Sequence, residues 1–430
     1  MNSPGGRGAA IPNAIYRLVA LRITVNSDDS TSDILEGETM IKSKKVLALG
    51  TIAALGFAAA ACGSDDDSSS SDTLAPADST AGSAAPADTT AGSEAPADTT
   101  ATSDSTAPAD STAPGDSTAP TGDCKVGMAY DVTGRGDKSF NDAAASALEK
   151  AQTDLGVTFE ESTPTGEGDR AERLQGLVDA GAGLVQGNGF LFHDSITSVA
   201  GANPDVSFTI VDDVVDAPNV ASLVFAEEQG SFLVGAAAAL KSQTGTIGFI
   251  GGVENELIQK FEAGYAAGAK AVNPDIEILT NYISQPPDFS GFNDPTKGKE
   301  IAAAQYDGGA DVIYSAAGGS GLGAFQAAAE AGAPGEVWGI GVDSDQYNLV
   351  PAELQPYILT SMLKRVDVAT YNTIDAFCSD EFAAGTQVFD LSVDGVGYST
   401  TGGFIDDITD QLDTFKEQII SGDIEVPTTP

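Results

Sequence analysis

Short apolar runs rich in β-branched residues alternate with alanine-rich stretches from Lys125 to the end of the chain. The short runs have the length and composition of strands, and the longer stretches have the length of helices. The predicted strands are Lys125–Tyr130, Val157–Glu161, Gly183–Gln186, Val206–Val211, Val220–Val224, Thr246–Ile250, Glu277–Ile283, Asp311–Tyr314 and Glu336–Gly341. The predicted helices are Asp142–Gln152, Arg170–Ala180, Ala226–Lys241, Glu254–Val272, Pro295–Tyr306, Leu322–Ala331, Val366–Phe382 and Ile408–Ser421.

Strands that alternate with helices at this spacing form βαβ units around parallel sheets. The series restarts at Gly245–Gly252, where a new strand ends in two glycines. A region of this length with two such series predicts two α/β lobes. We therefore expect residues 124–430 to form one two-lobed binding domain. Lobe 1 would run from about 124 to 230 with part of 360–385, and lobe 2 from about 240 to 355 with the C-terminal segment.

The start of the chain has the pattern of a targeting segment. Three lysines precede an apolar run, Val46–Ala61, which ends in small residues directly before Cys62. This arrangement is typical of a bacterial lipoprotein signal, and an ordinary secretory signal or a membrane anchor are the alternatives. We predict a signal peptide at 40–62 with acylation of Cys62. Residues 1–39 would be an upstream extension, with Met40 as the true start.

A low-complexity segment follows Cys62 at once. Residues 63–123 consist almost entirely of Ser, Thr, Ala, Pro, Gly and Asp, and they repeat one motif, as at Ala75–Thr80 and Ala85–Thr90. Such a segment cannot bury enough apolar area to offset its ordering entropy, so we predict a disordered linker. A linker in this place favours the lipid anchor, which would hold the chain on the extracytoplasmic face of the cell membrane without spanning it.

Charge and cysteines limit the ligand classes and the compartment. The formal net charge is −43, and residues 124–430 carry 14 basic and 46 acidic groups of this total, a net of −32. Such a domain would repel polyanions, so we expect no nucleic acid partner. Besides Cys62, the chain has Cys124 and Cys378. In an extracytoplasmic domain these two could form a disulfide; the alternative is two unrelated thiols.

The polar loop Asp131–Asn141 joins the first strand to the first helix. In an open α/β sheet, small ligands bind beyond the carboxyl end of a strand. This loop combines acids, an amide and the ring of Phe140, which a solvated turn rarely needs. Phe292 lies in a similar polar, glycine-containing segment of the second series. Two such rings on opposite lobes would sandwich a flat heterocycle, with stacking worth about 1–3 kcal/mol per base.

The candidate motifs for catalysis and for metal binding lack residues that those motifs require at set positions. Gly136–Ser139 lacks the Gly–Lys pair of a phosphate loop, and Gly318–Gly323 departs from the dinucleotide pattern, although its glycines would let backbone approach a ligand. His193 is the only histidine, and the adjacent Asp194 and Ser195 cannot face it as a triad because the three residues are consecutive. Asp343–Tyr347 lacks the later residues of a calcium loop, and there is no Cys/His cluster for zinc. We expect no enzyme, no cofactor and no metal.

Several stretches between Lys125 and Ile424 together resemble one family, and any of them alone would be weak. They are Asp131–Asn141, Gly187–Phe190, Phe225–Gly230, Gly248–Gly252, Phe261–Tyr265, Ala316–Gly323, Gly341–Gln346 and Thr360–Arg365. The chain is similar in these stretches to the basic membrane protein family of substrate-binding lipoproteins, especially the purine-nucleoside receptors of ABC importers. The resemblance implies a type I periplasmic-binding-protein fold, with two Rossmann-like lobes joined by a hinge.

The resemblance also implies roles for individual residues. Phe140 and Phe292 would stack on the base, and Asn141 and Asp212 would hydrogen-bond its edge. Asp131 would form part of the pocket wall. The ribose hydroxyls would be held by Asp343, Lys364 and the backbone of Gly318 and Gly319. The chemistry is consistent, because neighbouring hydroxyls suit carboxylates and a lysine offsets their charge.

The leading hypothesis is a monomeric, lipid-anchored receptor that captures a nucleoside and passes it to an ABC permease. The same fold could instead serve as a receptor or sensor for another small molecule such as a sugar or a flavin. A nucleoside hydrolase is disfavoured because no catalytic constellation emerges. A repressor of the lactose type would need a pair of DNA-binding helices before Lys125, where the chain has the acidic linker instead.

Overall fold

The computed structural model describes residues 124–166 and 168–430. The predicted extension at 1–39, the signal peptide at 40–62 with its acylation site Cys62, and the linker at 63–123 lie outside the described residues. Within the described part, no helix is long and apolar enough to cross a membrane. The predicted fold class is confirmed: the chain forms two α/β lobes.

Strands and helices follow one another along most of the described chain. The strands are β1 Lys125–Tyr130, β2 Thr158–Ser162, β3 Leu184–Asn188, β4 Ser207–Val211, β5 Val220–Phe225, β6 Thr246–Val253, β7 Glu277–Ser284, β8 Val312–Ala316, β9 Trp338–Asp343, β10 Ile358–Lys364, β11 Gly385–Phe389 and β12 Val396–Tyr398. The helices are α1 Phe140–Leu155, α2 Arg170–Asp179, α3 His193–Ala202, α4 Glu227–Lys241, α5 Glu256–Val272, α6 Pro295–Asp307, α7 Gly321–Ala331, α8 Val366–Cys378 and α9 Thr409–Ser421.

Each lobe is built around one six-stranded sheet. Sheet 1 has the order β11-β5-β4-β3-β1-β2 and is parallel throughout. Sheet 2 has the order β12-β10-β9-β8-β6-β7, and only β12 runs antiparallel to its neighbour. Parallel sheets are covered by helices on both faces, and accordingly β3, β8 and β9 are buried along their whole length. The edge strands β2 and β11 remain largely accessible.

The chain crosses between the lobes three times. It leaves lobe 1 after β5 at Ala226, returns after β10 at Arg365, and passes from β11 to β12 through Asp390–Gly395. The last two crossings lie side by side, because the N–H of Arg365 donates to the carbonyl of Gly395 at 2.9 Å. Three neighbouring crossings form a hinge of the kind that the sequence resemblance implies.

Helices α4 and α5 pack with their backbones in direct contact. A Cβ added to Gly264 would overlap the carbonyl oxygen of Glu228, and one added to Gly268 would overlap that of Phe232. Only glycine permits this approach. The close packing attaches α4 to the second lobe directly after its crossing.

The predicted strands are all present, but the last three strands of the structure were not predicted. The strand β10 contains Thr360, Ser361 and Lys364, all of them buried, and such polar residues obscure the apolar run that marks a central strand. The strand β11 is an exposed edge, and β12 has only three residues. Helix α3 was also missed, and the predicted helix Val366–Phe382 ends earlier, at Cys378.

A disulfide joins Cys124 to Cys378, with the two Cα atoms 5.6 Å apart. Cys124 directly precedes β1, and Cys378 is the last residue of α8, the helix by which the chain returns to lobe 1. Helix α8 packs against α1. The bond therefore fixes the returning segment to the start of the lobe.

Replacing both bridged cysteines, Cys124→Ser with Cys378→Ser, should lower the free energy of unfolding by about 2–5 kcal/mol. The bond spans 254 residues of sequence, so its loss frees a long loop in the unfolded chain. Guanidinium unfolding followed by circular dichroism measures the change. Wild-type protein unfolded with a thiol reductant should match the variant, and equal midpoints for oxidised wild type and variant would contradict the prediction.

Candidate functional site

The carboxyl ends of strands from both sheets border one cavity between the lobes. It contains about 660 Å³ of space free of protein atoms, its open mouth included, a size that suits a small molecule. Eight of the nine predicted ligand residues line it, namely Asp131, Phe140, Asn141, Asp212, Phe292, Gly318, Asp343 and Lys364. The ninth, Gly319, lies in the same short turn as Gly318 but does not reach the cavity wall.

The start of α1 is fixed by Asp137. Its carboxylate accepts hydrogen bonds from the backbone N–H groups of Ser139 at 3.0 Å, Asn141 at 2.8 Å and Asp142 at 3.1 Å. A helix start leaves such groups without partners inside the helix. Burial raises the pKa of Asp137 to about 6, and the three hydrogen bonds oppose this rise. The cap therefore fixes the directions in which the side chains of Phe140 and Asn141 project from the start of α1.

The amide of Asn141 is largely occupied by the protein itself. Its Nδ2 donates to the carbonyl of Asp131 and to Oγ1 of Thr133, both at 3.1 Å. Its Oδ1 accepts from Nδ2 of Asn188 at 3.0 Å. Because an amide oxygen can accept two hydrogen bonds, one acceptor position remains. The predicted contact of Asn141 with a base is thus restricted to accepting a hydrogen bond.

Asp131 forms part of the wall at the end of β1. Its Oδ1 accepts from Nη2 and Nε of Arg170 at 2.7 and 3.1 Å, and from the N–H of Val132 at 2.9 Å. Burial raises the pKa of Asp131, although Arg170 acts in the opposite direction. The other oxygen, Oδ2, lies beside Gly189, where a Cβ would come within 3.1 Å of it. The glycine therefore gives this carboxylate the room it needs.

Lys364 ends β10 with its ammonium enclosed by acids. Its Nζ lies 2.5 and 2.6 Å from the two carboxylate oxygens of Asp212, and 3.3 Å from Oε1 of Glu227. All three side chains are at most 5% exposed. Asp212, which we expected at the edge of a base, instead directs both oxygens to Lys364. Buried charges are tolerated when they are paired in this way.

Three phenylalanine rings complete the surroundings of this ammonium. Nζ of Lys364 lies 5.3 Å from the ring centre of Phe140, 5.1 Å from that of Phe225 and 5.6 Å from that of Phe261. A cation is attracted to the face of an aromatic ring at such distances. Phe140 therefore connects the aromatic part of the cavity with its charged part.

Burial governs the protonation of the acids around Lys364. It raises the pKa of Asp212 to about 7, although Lys364 acts in the opposite direction, and the neighbouring charge of Glu227 adds to the rise. Burial also raises the pKa of Asp343. For Lys364, burial alone would lower the pKa, but attraction by Asp212, Glu227 and Asp343 raises it overall. The cluster keeps its ammonium charged, and Asp212 binds a proton below a pH of about 7.

The backbone is strained at three residues that line the cavity. Val132, Asp212 and Asp343 have φ angles of 43°, 69° and 64°. Each lies at or just beyond the end of a strand. Residues other than glycine rarely adopt this left-handed conformation, which costs about 1–3 kcal/mol each. The concentration of strain around one cavity supports its assignment as the functional site.

Lobe 2 contributes an aromatic wall that meets lobe 1. The ring of Phe190, which follows β3, lies edge-on to Phe292 with 6.4 Å between ring centres, and edge-on to Phe289 at 6.0 Å. Such arrangements are favourable for aromatic pairs. Phe292 itself packs against the backbone of Gly252, where a Cβ would come within 2.5 Å of its ring. The ring is therefore held in place from both lobes.

Several residues of the cavity escaped prediction. Asp137 and Phe190 line it, as do Leu257, Ile258 and Phe261 of α5. Asp137 had a detectable signal, since an acid shortly before a helix start is typical of a cap. The apolar residues of α5 had none, because their spacing is that of any core-facing helix.

His193 does not line the cavity. Its Nδ1 lies 2.9 Å from Oδ2 of Asp213, and both side chains are more than a third exposed. Over residues 124–166 and 168–430, no group of three or more His, Cys, Asp and Glu side chains is arranged to hold a metal ion.

The free energy of unfolding should fall as the pH rises from about 4 to about 7. In the folded state, Asp212 retains its proton up to a pKa of about 7, whereas its ordinary pKa of 3.8 returns on unfolding. In this window the folded state binds more protons than the unfolded state, so acid favours folding. Asp212→Asn removes this titration and should flatten the pH dependence measured by denaturant unfolding.

Asp216→Asn is the matched control, because Asp216 is an exposed aspartate in the same loop. The free energy of unfolding of Asp216→Asn should depend on pH as steeply as that of the wild type. An equally steep dependence for Asp212→Asn would show that Asp212 is ionised throughout this range.

The chain has clear relatives. Residues 124–430 match the profile of the family described as "ABC transporter substrate-binding protein PnrA-like". The chain is 36% identical over 326 residues to the CD4+ T-cell-stimulating antigen of Listeria monocytogenes, which covers 72% of this chain and 89% of the relative. It is 34% identical over 323 residues to the ABC transporter nucleoside-binding protein BmpA of Lactococcus lactis, covering 71% and 90%.

Solved structures agree with this relationship. An ABC transporter solute-binding protein of Aeropyrum pernix is 29% identical, with a TM-score of 0.63, over 71% of this chain and 93% of that one. A solute-binding protein of Conexibacter woesei, at 24% identity and a TM-score of 0.58, shows the same fold. The family consists of substrate-binding proteins rather than enzymes, which implies a small-molecule ligand and a permease partner. The chain belongs to the basic membrane protein, or PnrA-like, family of ABC transporter substrate-binding proteins.

Proposed function

We propose that this chain is a monomeric, lipid-anchored receptor on the extracytoplasmic face of the membrane, where it captures a purine nucleoside and delivers it to an ABC permease. One observation carries the proposal: a single cavity combines phenylalanine rings from both lobes with a buried cluster of carboxylates around one ammonium. A nucleoside has the matching parts, a flat base and a ribose with neighbouring hydroxyls.

The base would lie among the aromatic rings. Phe140 comes from lobe 1 and Phe292 from lobe 2, and both line the cavity. Asn141 has one acceptor position left on Oδ1, which suits an N–H or amino group on the edge of a base. The side chain of Asp131 lies in the wall with its Oδ1 already paired to Arg170.

The ribose would lie at the charged end of the cavity. Asp343 and Lys364 line the cavity together with the backbone of Gly318, whose φ of 54° is one that glycine adopts without strain. Carboxylates accept hydrogen bonds from hydroxyl groups, and the lysine offsets their charge. Asp212 and Glu227 would act on Lys364 rather than on the ligand.

The anchor is proposed at Cys62, and the transfer of ligand would depend on the hinge. Lobe closure around a ligand is a common signal from a binding protein to its partner. The three adjacent crossings at Ala226, Arg365 and Asp390–Gly395 provide the hinge. A receptor of this kind needs no second copy of itself, so we propose a monomer.

Titration calorimetry with inosine, guanosine and adenosine should show micromolar or tighter binding for at least one of them. Inosine 5′-monophosphate is the matched control ligand and should bind at least about 100-fold more weakly, since like charges brought together cost several kcal/mol. Asp131 and Asp343 line the cavity, each with one carboxylate oxygen that receives no hydrogen bond from the described residues, and both would repel its phosphate. Heat with a sugar or a flavin, but with no nucleoside, would refute the proposed ligand class.

Removing either of the two rings should weaken nucleoside binding. Phe140→Ala and Phe292→Ala should each raise the dissociation constant by an amount equivalent to about 1–3 kcal/mol, because each deletes one stacking face. Phe382→Ala is the control, since this ring packs with Phe377 away from the cavity. Unchanged affinity in both site variants would contradict the stacking arrangement.

A further inference from the structure

Two loops on opposite lobes are joined directly by side-chain hydrogen bonds. Oγ of Ser139 lies 2.5 Å from Oδ2 of Asp343 and 3.2 Å from the carbonyl of Val342. In return, Oγ of Ser344 donates to the carbonyl of Ser139 at 3.0 Å, and Nε2 of Gln346 donates to the carbonyl of Lys138 at 2.9 Å. We call this set of bonds the cross-lobe clasp.

Both halves of the clasp are fixed by their own lobe. On lobe 1, the N–H of Ser139 donates to the helix cap Asp137. On lobe 2, Oε1 of Gln346 accepts from the N–H of Val342 at 3.0 Å, and its N–H donates to Oγ of Ser361 at 3.2 Å. Ser139 and Gln346 are at most 1% exposed. Loops held in this way lose little freedom when they meet, so each bond stabilises closure more fully.

The backbone on each side of the clasp also has an unusual conformation. Lys138 has a φ of 57° and Asp343 a φ of 64°, a conformation that residues with side chains rarely adopt. These turns direct the carbonyl of Lys138 and the carboxylate of Asp343 to their partners on the opposite lobe. Every bond of the clasp joins two protein atoms, so its formation requires no ligand atom.

The clasp leaves Asp343 with one free oxygen. Ser139 donates to Oδ2, and none of the described residues donates a hydrogen bond to Oδ1. Asp343 lines the cavity. A ligand hydroxyl would therefore be received by Oδ1 while Oδ2 remains bonded to the other lobe.

We propose that Ser139 is a positioning residue: it closes the two lobes through the cross-lobe clasp and at the same time orients Asp343 toward the ligand. Its contribution to ligand affinity rests on the proposed function, since it assumes that Asp343 binds a ligand hydroxyl. The clasp itself does not rest on that function. It stabilises the closed state with bonds between protein atoms, to which a ligand bound at Asp343 adds, and release of the ligand then requires that the clasp be broken.

The first test is independent of any ligand. Hydrogen exchange of the full-length protein, with no added ligand, should become several-fold faster in peptides covering 137–142 and 342–349 when Ser139→Ala or Ser344→Ala removes a clasp bond. Ser222→Ala is the matched control, because this buried hydroxyl bonds only to Val215 within lobe 1. It should leave both peptides unchanged. Equal exchange in the wild type and both clasp variants would overturn the clasp.

The second test distinguishes an effect on lobe closure from an effect on the encounter between protein and ligand. With the nucleoside that calorimetry identifies, Ser139→Ala should raise the dissociation rate constant roughly tenfold, as expected for the loss of one hydrogen bond, and leave the association rate constant within about twofold. Stopped-flow fluorescence measures both. An unchanged dissociation rate would overturn the positioning role. If the wild type binds no nucleoside, the proposed function fails, while the exchange experiment still decides the clasp.

Discussion

The buried ammonium of Lys364 is the interaction on which the arrangement of the site depends. An enclosed charge costs several kcal/mol unless it is paired, and the partners of this one come from separate elements of the chain. Asp212 follows β4 of lobe 1, whereas Glu227 begins α4 directly after the first crossing. Lys364 itself stands directly before the second crossing. The pairing thus fixes the ends of these elements relative to one another, and it does so close to the hinge.

This constraint also explains the electrostatic character of the cavity. Glu227 lies at the start of a helix, where the helix dipole stabilises a negative charge, and it also contacts Lys260 at 3.3 Å. The four aspartates in the lining exceed the single lysine, and acidic residues also exceed basic ones over the whole of residues 124–430. This excess of acids favours a neutral molecule with hydroxyl groups over an anion.

Local features of the sequence predicted much of this site, and contacts between distant segments account for the rest. The loop from Asp131 to Asn141 could be assigned because strand, polar loop and helix start are consecutive. The pairing of Asp212 with Lys364 could not, because 152 residues separate them and nothing in either segment indicates the other. The same holds for β10, whose buried polar residues make sense only when their partners are known: Gln346 after β9, Ser399 after β12, and Asp212 in lobe 1. The role of Ser139 could not be predicted for the same reason, because its partner Asp343 lies 204 residues further along the chain.

The disulfide between Cys124 and Cys378 has a mechanical consequence. A pull on the chain at residue 124 is shared between β1 and α8, because the bond connects the start of one to the end of the other. The strand β1 lies inside sheet 1 between β2 and β3, and α8 packs on α1. Stripping β1 from its sheet would thus require α8 to detach at the same moment. Tension at residue 124 therefore acts on two elements of lobe 1 at once, and not on one edge of β1 alone.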